Sequence, residues 1–313
     1  MIVPRALTKG DTIGLLSASG ATPSEKLAPA IASIEKLGFN VIVGETCRAR
    51  HGYLAGSDEL RAYDVNEMFR NPHVDGIFCI RGGYGATKIL PKLDYEMIQA
   101  NPKVFAGYSD VTALHIAFNQ KCNLVTYHTP MPSTEFIQQN MDHYTWDSFL
   151  NCVMATDTKP FLFENPPQQP MTTLLTGTAT GQLVGGNLTL ITASLGTPYE
   201  IDTKGKILFL EDIDESEQRI DRMLTQLKLA GKLDDAAGLL LGAWTNCGPE
   251  NPKHPERSLS LNTIFKEILT PLKKPILSNL ACGHCLPTMS LPLGRIITVD
   301  AETQNITVVE VGV

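Results

Sequence analysis

The sequence predicts an α/β fold, with a mostly parallel sheet in the N-terminal half and a β-rich C-terminal half. Up to about residue 130, short apolar runs alternate with amphipathic helical segments, a pattern typical of parallel strands joined by helices. After residue 170, short β-rich runs follow one another more closely. Between the halves lies "ENPPQQP" (164–170), whose prolines indicate a linker or loop. We therefore divide the chain into domains 1–165 and 166–313.

The N-terminal elements follow from apolar spacing and capping residues. Strands are expected at 12–19, at 40–44, in 74–86 ahead of a glycine loop, at the start of 103–122 and at 124–131. Helices are expected at 24–39, at 57–72 with Ser57 as the N-cap, and in the second part of 103–122. Ligand sites in such sheets lie beyond the carboxyl ends of the strands.

The C-terminal half predicts a sheet with intervening helices. Strands are expected at 181–186, 206–212 and 236–244, with a hairpin at 295–311. Helices are expected at about 187–195, 216–230 and 260–270.

The composition and charge of the chain argue against two classes of binding partner and indicate a compartment. The 313 residues carry a net charge of −7, which argues against nucleic acid or an anionic membrane surface, since both attract basic patches. No signal peptide and no membrane-spanning run is recognisable, so we expect a cytoplasmic protein. The seven cysteines are odd in number and scattered, which favours a reducing compartment over a disulfide framework.

The segment "ACGHCL" (281–286) raises two chemistries that we weigh against a structural role. A thiol oxidoreductase needs a helix directly after its CxxC motif, whereas Pro287 and Pro292 follow here. A structural zinc site needs four ligands, and no second pair of ligands is present. We therefore expect Cys282 and Cys285 to line a loop, and we expect no metal.

Four separate signals supply the groups for nucleophilic catalysis. In "FAGYSDVT" (105–112) an apolar strand breaks at Ser109 into a helix, which could expose a nucleophile, although Ser109 or Asp110 could instead cap that helix. The glycine loop "RGGYGA" (81–86) permits close approach of a substrate, or is an ordinary tight turn. The apolar strand in "KILFLED" (206–212) runs into Glu211 and Asp212. A carboxylate at that end of a strand is placed to orient a histidine, or it belongs to a solvated acidic loop. His284 lies on a glycine-flanked loop. Together they make the chain order Ser…Glu…His.

Four ordered motifs resemble the LD-carboxypeptidase family of serine peptidases over nearly the whole chain: "RGGYGA", "FAGYSDVTALH", the long segment 183–231 beginning "LVGGNLTLITASLG", and "CGH…LPLG". The resemblance implies a Rossmann- or flavodoxin-like parallel-sheet domain, a smaller β-rich domain and an active site at their interface. It implies a hydrolase that cleaves between an L-centre and a D-residue, such as the terminal D-Ala of murein tetrapeptide in peptidoglycan recycling. It also implies a muropeptide as the partner, a homodimer and no cofactor.

By the same resemblance, Ser109 is the nucleophile, Glu211 the orienting acid and His284 the general base. The backbone N–H groups of Asp110 and Gly83 would form the oxyanion hole.

Candidate substrate-binding residues are Arg81, Gly82, Tyr84 and His128. The sequence departs from the family pattern at two positions, one next to His284 and one next to His128. Cys285 follows His284 where relatives commonly have glycine, and "YHTPM" has His128 followed by threonine where relatives usually have glycine.

Three other functions remain as alternatives. A family member of the microcin-immunity type would act on peptide–nucleotide antibiotics, although this chain is short and has only two tryptophans. A thiol oxidoreductase would use Cys282 and Cys285. A non-catalytic module would bind a muropeptide without cleaving it.

Overall fold

The computed structural model describes residues 1–139, 141–154 and 163–309, which divide into two compact units. Unit 1 contains the described residues up to Met154 and the segment Ser290–Gly294. Unit 2 contains Phe163–Met289 and the described residues from Arg295. The division at 165/166 is therefore wrong in two places, because residues 163–165 belong to unit 2 and the chain returns to unit 1 at Ser290.

The described residues contain the following strands: β1 (Thr12–Leu16), β2 (Asn40–Val43), β3 (Gly76–Cys79), β4 (Val104–Gly107), β5 (Thr126–His128), β6 (Thr172–Leu175), β7 (Thr178–Asn187), β8 (Ile207–Ile213), β9 (Gly238–Thr245), β10 (Ile276–Ser278), β11 (Leu291–Leu293), β12 (Ile296–Asp300) and β13 (Asn305–Val308). The α-helices are α1 (Ser24–Lys36), α2 (Asp58–Arg70), α3 (Ala86–Ile89), α4 (Tyr95–Ala100), α5 (Thr112–Lys121), α6 (His143–Val153), α7 (Leu188–Ala193), α8 (Glu217–Leu229), α9 (Lys232–Asp235) and α10 (Leu261–Leu269). None of these helices is both long enough and apolar enough to cross a membrane.

Unit 1 is built on a sheet with the order β11-β5-β4-β3-β1-β2, which confirms the parallel sheet that the sequence predicts. Strands β1 to β5 are parallel. Strand β11 adds an antiparallel edge, with Leu291 opposite His128. This pairing explains why Ser290–Gly294 belongs to unit 1. Because β1 lies between β2 and β3, the strand order reverses there, and the loops after β1 and β3 leave the sheet side by side.

Helices cover both faces of this sheet. On one face Phe69, Phe105 and Phe118, from α2, β4 and α5, pack with ring centroids 4.9–6.0 Å apart. On the other face α1 and α6 pack against the apolar side chains of β1, β3 and β4. The Ser57 hydroxyl accepts a hydrogen bond from Leu60 N at 3.2 Å, which confirms the predicted N-cap of α2. Helix α6 was not predicted, although Trp146, Phe149, Leu150 and Val153 follow a helical spacing.

Unit 2 contains a sheet with the order β13-β12-β7-β8-β9-β10-β6. Its four central strands, β7 to β10, are parallel, and the outer strands are antiparallel. The predicted helices appear as α7, α8 and α10. The predicted hairpin appears as β12 and β13, while positions 310 and 311 lie outside the described residues. Unit 2 is thus rich in strands, but its centre has α/β character.

Candidate active site

Ser109 lies at the sharp turn between β4 and α5. It begins a 3₁₀ turn, Ser109–Val111, and its φ of +67° is in the left-handed region. A non-glycine residue in that region costs of order 1–3 kcal/mol and persists only where the surrounding fold holds it. The side chain is partly exposed. The turn therefore presents a hydroxyl at the carboxyl end of a central strand.

The alternative in which Ser109 or Asp110 caps α5 is wrong. The N-cap of α5 is Val111, and no side-chain cap is formed there. The Asp110 carboxylate instead accepts a hydrogen bond from Ala86 N, at 2.8 Å, at the end of the glycine loop. The residue after the nucleophile candidate therefore connects the strand–helix turn to the loop after β3.

The glycine loop lies directly beside Ser109. A Cβ at Gly82 would be 2.8 Å from Ser109 Cβ, 3.0 Å from Ser109 Oγ and 3.5 Å from Asp110 N. Gly82 O accepts a hydrogen bond from Gly20 N at 3.2 Å. Gly83 has a φ of +123°, which favours glycine. The structure thus places the glycine loop, Ser109 and the Asp110 N–H close together.

Replacing Gly82 by alanine should reduce turnover with little loss of fold. The added methyl group would have to displace Ser109 Cβ, because the 2.8 Å separation is shorter than a van der Waals contact. A misplaced nucleophile should lower kcat by about 10²-fold. Steady-state hydrolysis kinetics and thermal unfolding measure the two effects. Gly248→Ala is the matched control, since a Cβ there meets nothing within 4 Å; equal kcat values for the two variants would contradict the prediction.

Three of the candidate substrate-binding residues lie in this loop. The Arg81 guanidinium is half-buried and donates from Nη1 to Ala21 O (2.9 Å) and from Nε to Gly82 O (3.2 Å). Among the described residues, no carboxylate lies within 4.0 Å of it. The Tyr84 ring is half exposed and contacts Tyr53 edge-on at 5.7 Å. Arg81 is therefore a cation held in place by backbone carbonyls.

His128, the fourth candidate, lies in the interior of unit 1. It is 1% exposed, and its ring centroid is 5.5 Å from that of Tyr108 and 6.4 Å from that of His115. It pairs with Gly107 in the sheet. His128 therefore packs in the core of unit 1, beside the end of β4 that leads into the Ser109 turn.

Two buried contacts behind that turn have no counterpart in the sequence analysis. The Tyr108 hydroxyl donates to Glu135 Oε1 at 2.8 Å. His115 Nε2 lies 2.9 Å from Gly107 O, and burial lowers the pKa of His115 to about 4, so the neutral ring donates to this carbonyl. Glu135 falls in a segment without periodicity, so only its position in the fold identifies it.

In unit 2, the structure brings Glu211 and His284 together. The Glu211 side chain is fully buried in β8, two residues before the strand ends, and its Oε2 lies 2.7 Å from His284 Nδ1. The same oxygen accepts from the backbone N of His284 at 3.3 Å. Since a carboxylate accepts the Nδ1 proton, Nε2 carries the lone pair that a general base needs.

The loop that carries His284 is fixed by short contacts. Thr245 Oγ1 donates to His284 O at 2.6 Å. A Cβ at Gly283 would lie 2.6 Å from Glu211 Oε2, and its φ of +110° also favours glycine. Cys282 Sγ donates to Met289 O (3.2 Å) and Cys285 Sγ to Pro287 O (3.4 Å). Both thiols contact the backbone of their own loop, and no helix follows them up to residue 309, where the described residues end.

Each unit carries groups of a kind that nucleophilic catalysis uses. Unit 1 supplies a strained serine and a glycine loop, and unit 2 supplies an imidazole whose tautomer is fixed by a buried carboxylate. A nucleophile, a base, an orienting acid and backbone donors are the groups that acyl transfer requires.

The sequence and the fold both match characterised proteins. Residues 13–129 match the model of the LD-carboxypeptidase N-terminal domain, and residues 180–299 that of the LD-carboxypeptidase C-terminal domain. A probable murein peptide carboxypeptidase of Bacillus subtilis (strain 168) is 41% identical, covering 99% of this chain and 95% of that protein. The microcin C7 self-immunity protein in complex with aspartyl sulfamoyl adenosine has a TM-score of 0.91 at 26% identity, covering 99% of both chains. The muramoyltetrapeptide carboxypeptidase of Oxalobacter formigenes has a TM-score of 0.82 at 28% identity, covering 95% of this chain and 97% of that one.

Proposed function

Because the chain belongs to the LD-carboxypeptidase family of peptidases, we propose that it is a metal-independent serine carboxypeptidase that releases the terminal D-Ala from murein tetrapeptide. The observation that carries the serine mechanism is the 2.7 Å contact between the buried Glu211 carboxylate and His284 Nδ1. A histidine oriented in this way serves proton transfer. Ser109, on its strained turn, is the matching nucleophile.

The proposed reaction proceeds through an acyl-enzyme. His284 Nε2 takes the proton of Ser109 Oγ as this oxygen attacks the carbonyl carbon of the L-centre. The oxyanion that forms accepts hydrogen bonds from the backbone N–H groups of Asp110 and Gly83. The protonated His284 then gives its proton to the departing amine of D-Ala, and water hydrolyses the ester in a second round of the same steps.

A peptide–nucleotide substrate of the microcin type is the second candidate, because one related structure has aspartyl sulfamoyl adenosine bound. Such a substrate carries a nucleobase, for which an exposed aromatic ring would be a platform. Both tryptophans of this chain instead pack against phenylalanine, Trp146 on Phe136 (4.8 Å) and Trp244 on Phe265 (5.1 Å). Tyr53 and Tyr84 are exposed aromatic rings, so we favour the murein peptide on the 41% identity to a probable murein peptide carboxypeptidase.

The testing experiment compares the two substrates directly. Purified protein is incubated with murein tetrapeptide, with and without EDTA, and with aspartyl sulfamoyl adenosine, and the released products are quantified. Release of D-Ala that persists in EDTA supports the proposal. Cleavage of the adenosine compound alone would move the assignment to the microcin-immunity type, and cleavage of neither would overturn the proposed function.

Arg81 is proposed to bind the terminal carboxylate of the peptide, and this gives a separate prediction. Replacing Arg81 by methionine should raise KM by about tenfold or more while kcat changes less, because a charge-assisted hydrogen bond contributes roughly 1.5–3 kcal/mol. Initial rates over a range of tetrapeptide concentration measure both constants. Arg70→Met, at an exposed arginine paired with Glu67, is the control. An unchanged KM in Arg81→Met would refute this role.

The proposal extends to a peptidoglycan-recycling role, the cytoplasm and a homodimer. The scattered cysteines support a reducing compartment, and the recycling role and the dimer rest on the family resemblance. Light scattering of the purified protein measures the oligomeric state.

A further inference from the structure

Arg61 is a charged residue that the proposed mechanism does not use, although it is fully buried in unit 1. From α2, its Nη1 donates to Ala18 O and to Gly85 O, both at 2.7 Å, and its Nη2 to Asp58 Oδ1 at 2.5 Å. Ala18 follows β1, and Gly85 belongs to the glycine loop after β3. Removing a charge from water costs several kcal/mol unless hydrogen bonds compensate. Arg61 therefore holds together the two loops at the point where the strand order reverses.

Asp110 contacts the same loop from the opposite side. Its carboxylate is 1% exposed and accepts from Ala86 N at 2.8 Å. Burial raises the pKa of Asp110, while the N–H groups of Ala86 and Gly85 and the charge of Arg61 act to lower it. Such a group needs its hydrogen bonds to remain ionised in the interior.

The two contacts meet on one peptide group. Gly85 O and Ala86 N belong to the same planar peptide unit, so Arg61 holds its oxygen and Asp110 holds its N–H. A Cβ at Gly85 would lie 2.7 Å from Arg61 Nη1, and its φ is +122°. Glycine is thus required at 85 both for the backbone conformation and for the approach of the guanidinium.

This peptide fixes one end of the segment that contains Gly83. The other end is fixed at Gly82 O, which accepts from Gly20 N and Arg81 Nε, each at 3.2 Å. We propose that Arg61 and the Asp110 carboxylate are positioning residues, which orient the Gly85–Ala86 peptide and so fix the Gly83 N–H relative to Ser109. This inference rests on the proposed function only for its catalytic consequence. The hydrogen bonds of Arg61 and Asp110 to the Gly85–Ala86 peptide group, here called the clamp, are a property of the fold.

The consequence is specific to the chemical step. Backbone donors stabilise an oxyanion only when they point at the place where its charge develops. If the Gly85–Ala86 peptide group is free to reorient, kcat should therefore fall, while the affinity for uncleaved murein tetrapeptide should stay unchanged. If these side chains only stabilised the fold, replacing them would lower the amount of active protein and leave kcat per active molecule unchanged.

The test replaces the acceptor by an apolar side chain that branches at the same carbon. Asp110→Leu leaves the Ala86 N–H without an acceptor, and kcat for D-Ala release should fall by about 10²-fold. Asp110→Asn keeps a neutral acceptor and should recover most of that loss. Arg61→Lys, which cannot reproduce the forked contacts, should also lower kcat. The dissociation constant of tetrapeptide, measured with each change placed in a Ser109→Ala background, should stay that of the background.

Asp64→Asn is the matched control, because Asp64 is also a buried carboxylate in unit 1 but accepts from Thr46 N (2.8 Å) and Thr46 Oγ1 (2.6 Å). It should lower Tm and leave kcat unchanged. An Asp110→Leu variant with wild-type kcat, or one whose loss lies in peptide affinity, would overturn the proposal. If Asp110→Leu does not fold, Arg61→Lys decides by the same criterion.

A second readout is independent of catalysis. Hydrogen exchange of the Ala86 amide should be slow in the wild type and faster in Asp110→Leu, while amides of β4 stay protected. Unchanged exchange at Ala86 would overturn the clamp even if the protein cleaves no peptide. Absence of hydrolysis together with faster Ala86 exchange would instead overturn the proposed function and leave the clamp standing.

Discussion

Ser109→Ala should abolish D-Ala release, with kcat lowered by roughly 10⁴-fold or more, because no other group then forms the acyl-enzyme. The same position should show an opposite effect on stability. Ser109 has a φ of +67°, and relief of a left-handed residue by glycine contributes about 1 kcal/mol. Ser109→Gly should therefore raise Tm while it abolishes turnover. Product release and thermal unfolding on the same samples measure both.

Asn123 provides the control for this pair of effects. It is also a non-glycine residue in the left-handed region, with a φ of 51°, and it lies in the turn between α5 and β5. Asn123→Gly should leave kcat unchanged. Substantial D-Ala release by Ser109→Ala would refute the serine mechanism, whereas a lower Tm of Ser109→Gly would refute only the strain argument.

Glu211→Gln should lower kcat by about 10⁴-fold, because the amide can donate to Nδ1 and so stabilise the wrong tautomer of His284. In the native protein Glu211 Oε2 lies 2.7 Å from Nδ1. Glu211 Oε1 is buried and accepts no hydrogen bond from the described residues. Both donors from His284, Nδ1 and the backbone N–H, contact Oε2, so the carboxylate faces the imidazole directly. In the proposed mechanism its negative charge stabilises the imidazolium that forms when Ser109 loses its proton.

The nitrogen NMR shifts of His284 measure the tautomer, and hydrolysis rates measure the loss. Glu217→Gln is the control, since Glu217 is also a largely buried glutamate in unit 2, in the first turn of α8. It should leave both the tautomer and kcat unchanged. A Glu211→Gln variant with native kcat would show that Glu211 does not orient the histidine.

The strands and helices of both units could be predicted because their signals are local. The apolar run at Ile13–Leu16 and the N-cap Ser57 act within a few residues, and the structure confirms both elements. Helix α6 was not predicted although Trp146, Phe149, Leu150 and Val153 follow a helical spacing, and strand β6 was not predicted because it has only four residues. The edge strand β11 was missed because it consists of three residues whose pairing partner, β5, is more than 160 positions away.

The site residues likewise fall into those that the sequence could identify and those that only the fold reveals. Ser109 and His284 could be named because each lies at a break between regular elements, and Glu211 because it follows the apolar run of β8; the family motifs assign their roles. The sequence could not show that Asp110 binds Ala86 rather than capping its own helix, since that choice depends on where the glycine loop lies. In the sequence, Arg61 is one more charged residue of a predicted helix. Only the burial of its guanidinium between Ala18 and Gly85 indicates the proposed positioning role.

By itself, then, the sequence determined most of the strands and helices, the residues of the proposed triad and the family to which the chain belongs. The tertiary structure alone decided which peptide groups those side chains hold. Propensity and periodicity arise from neighbours along the chain. The hydrogen bonds of Arg61, Asp110 and Glu211 form between segments that become neighbours only when the sheets assemble.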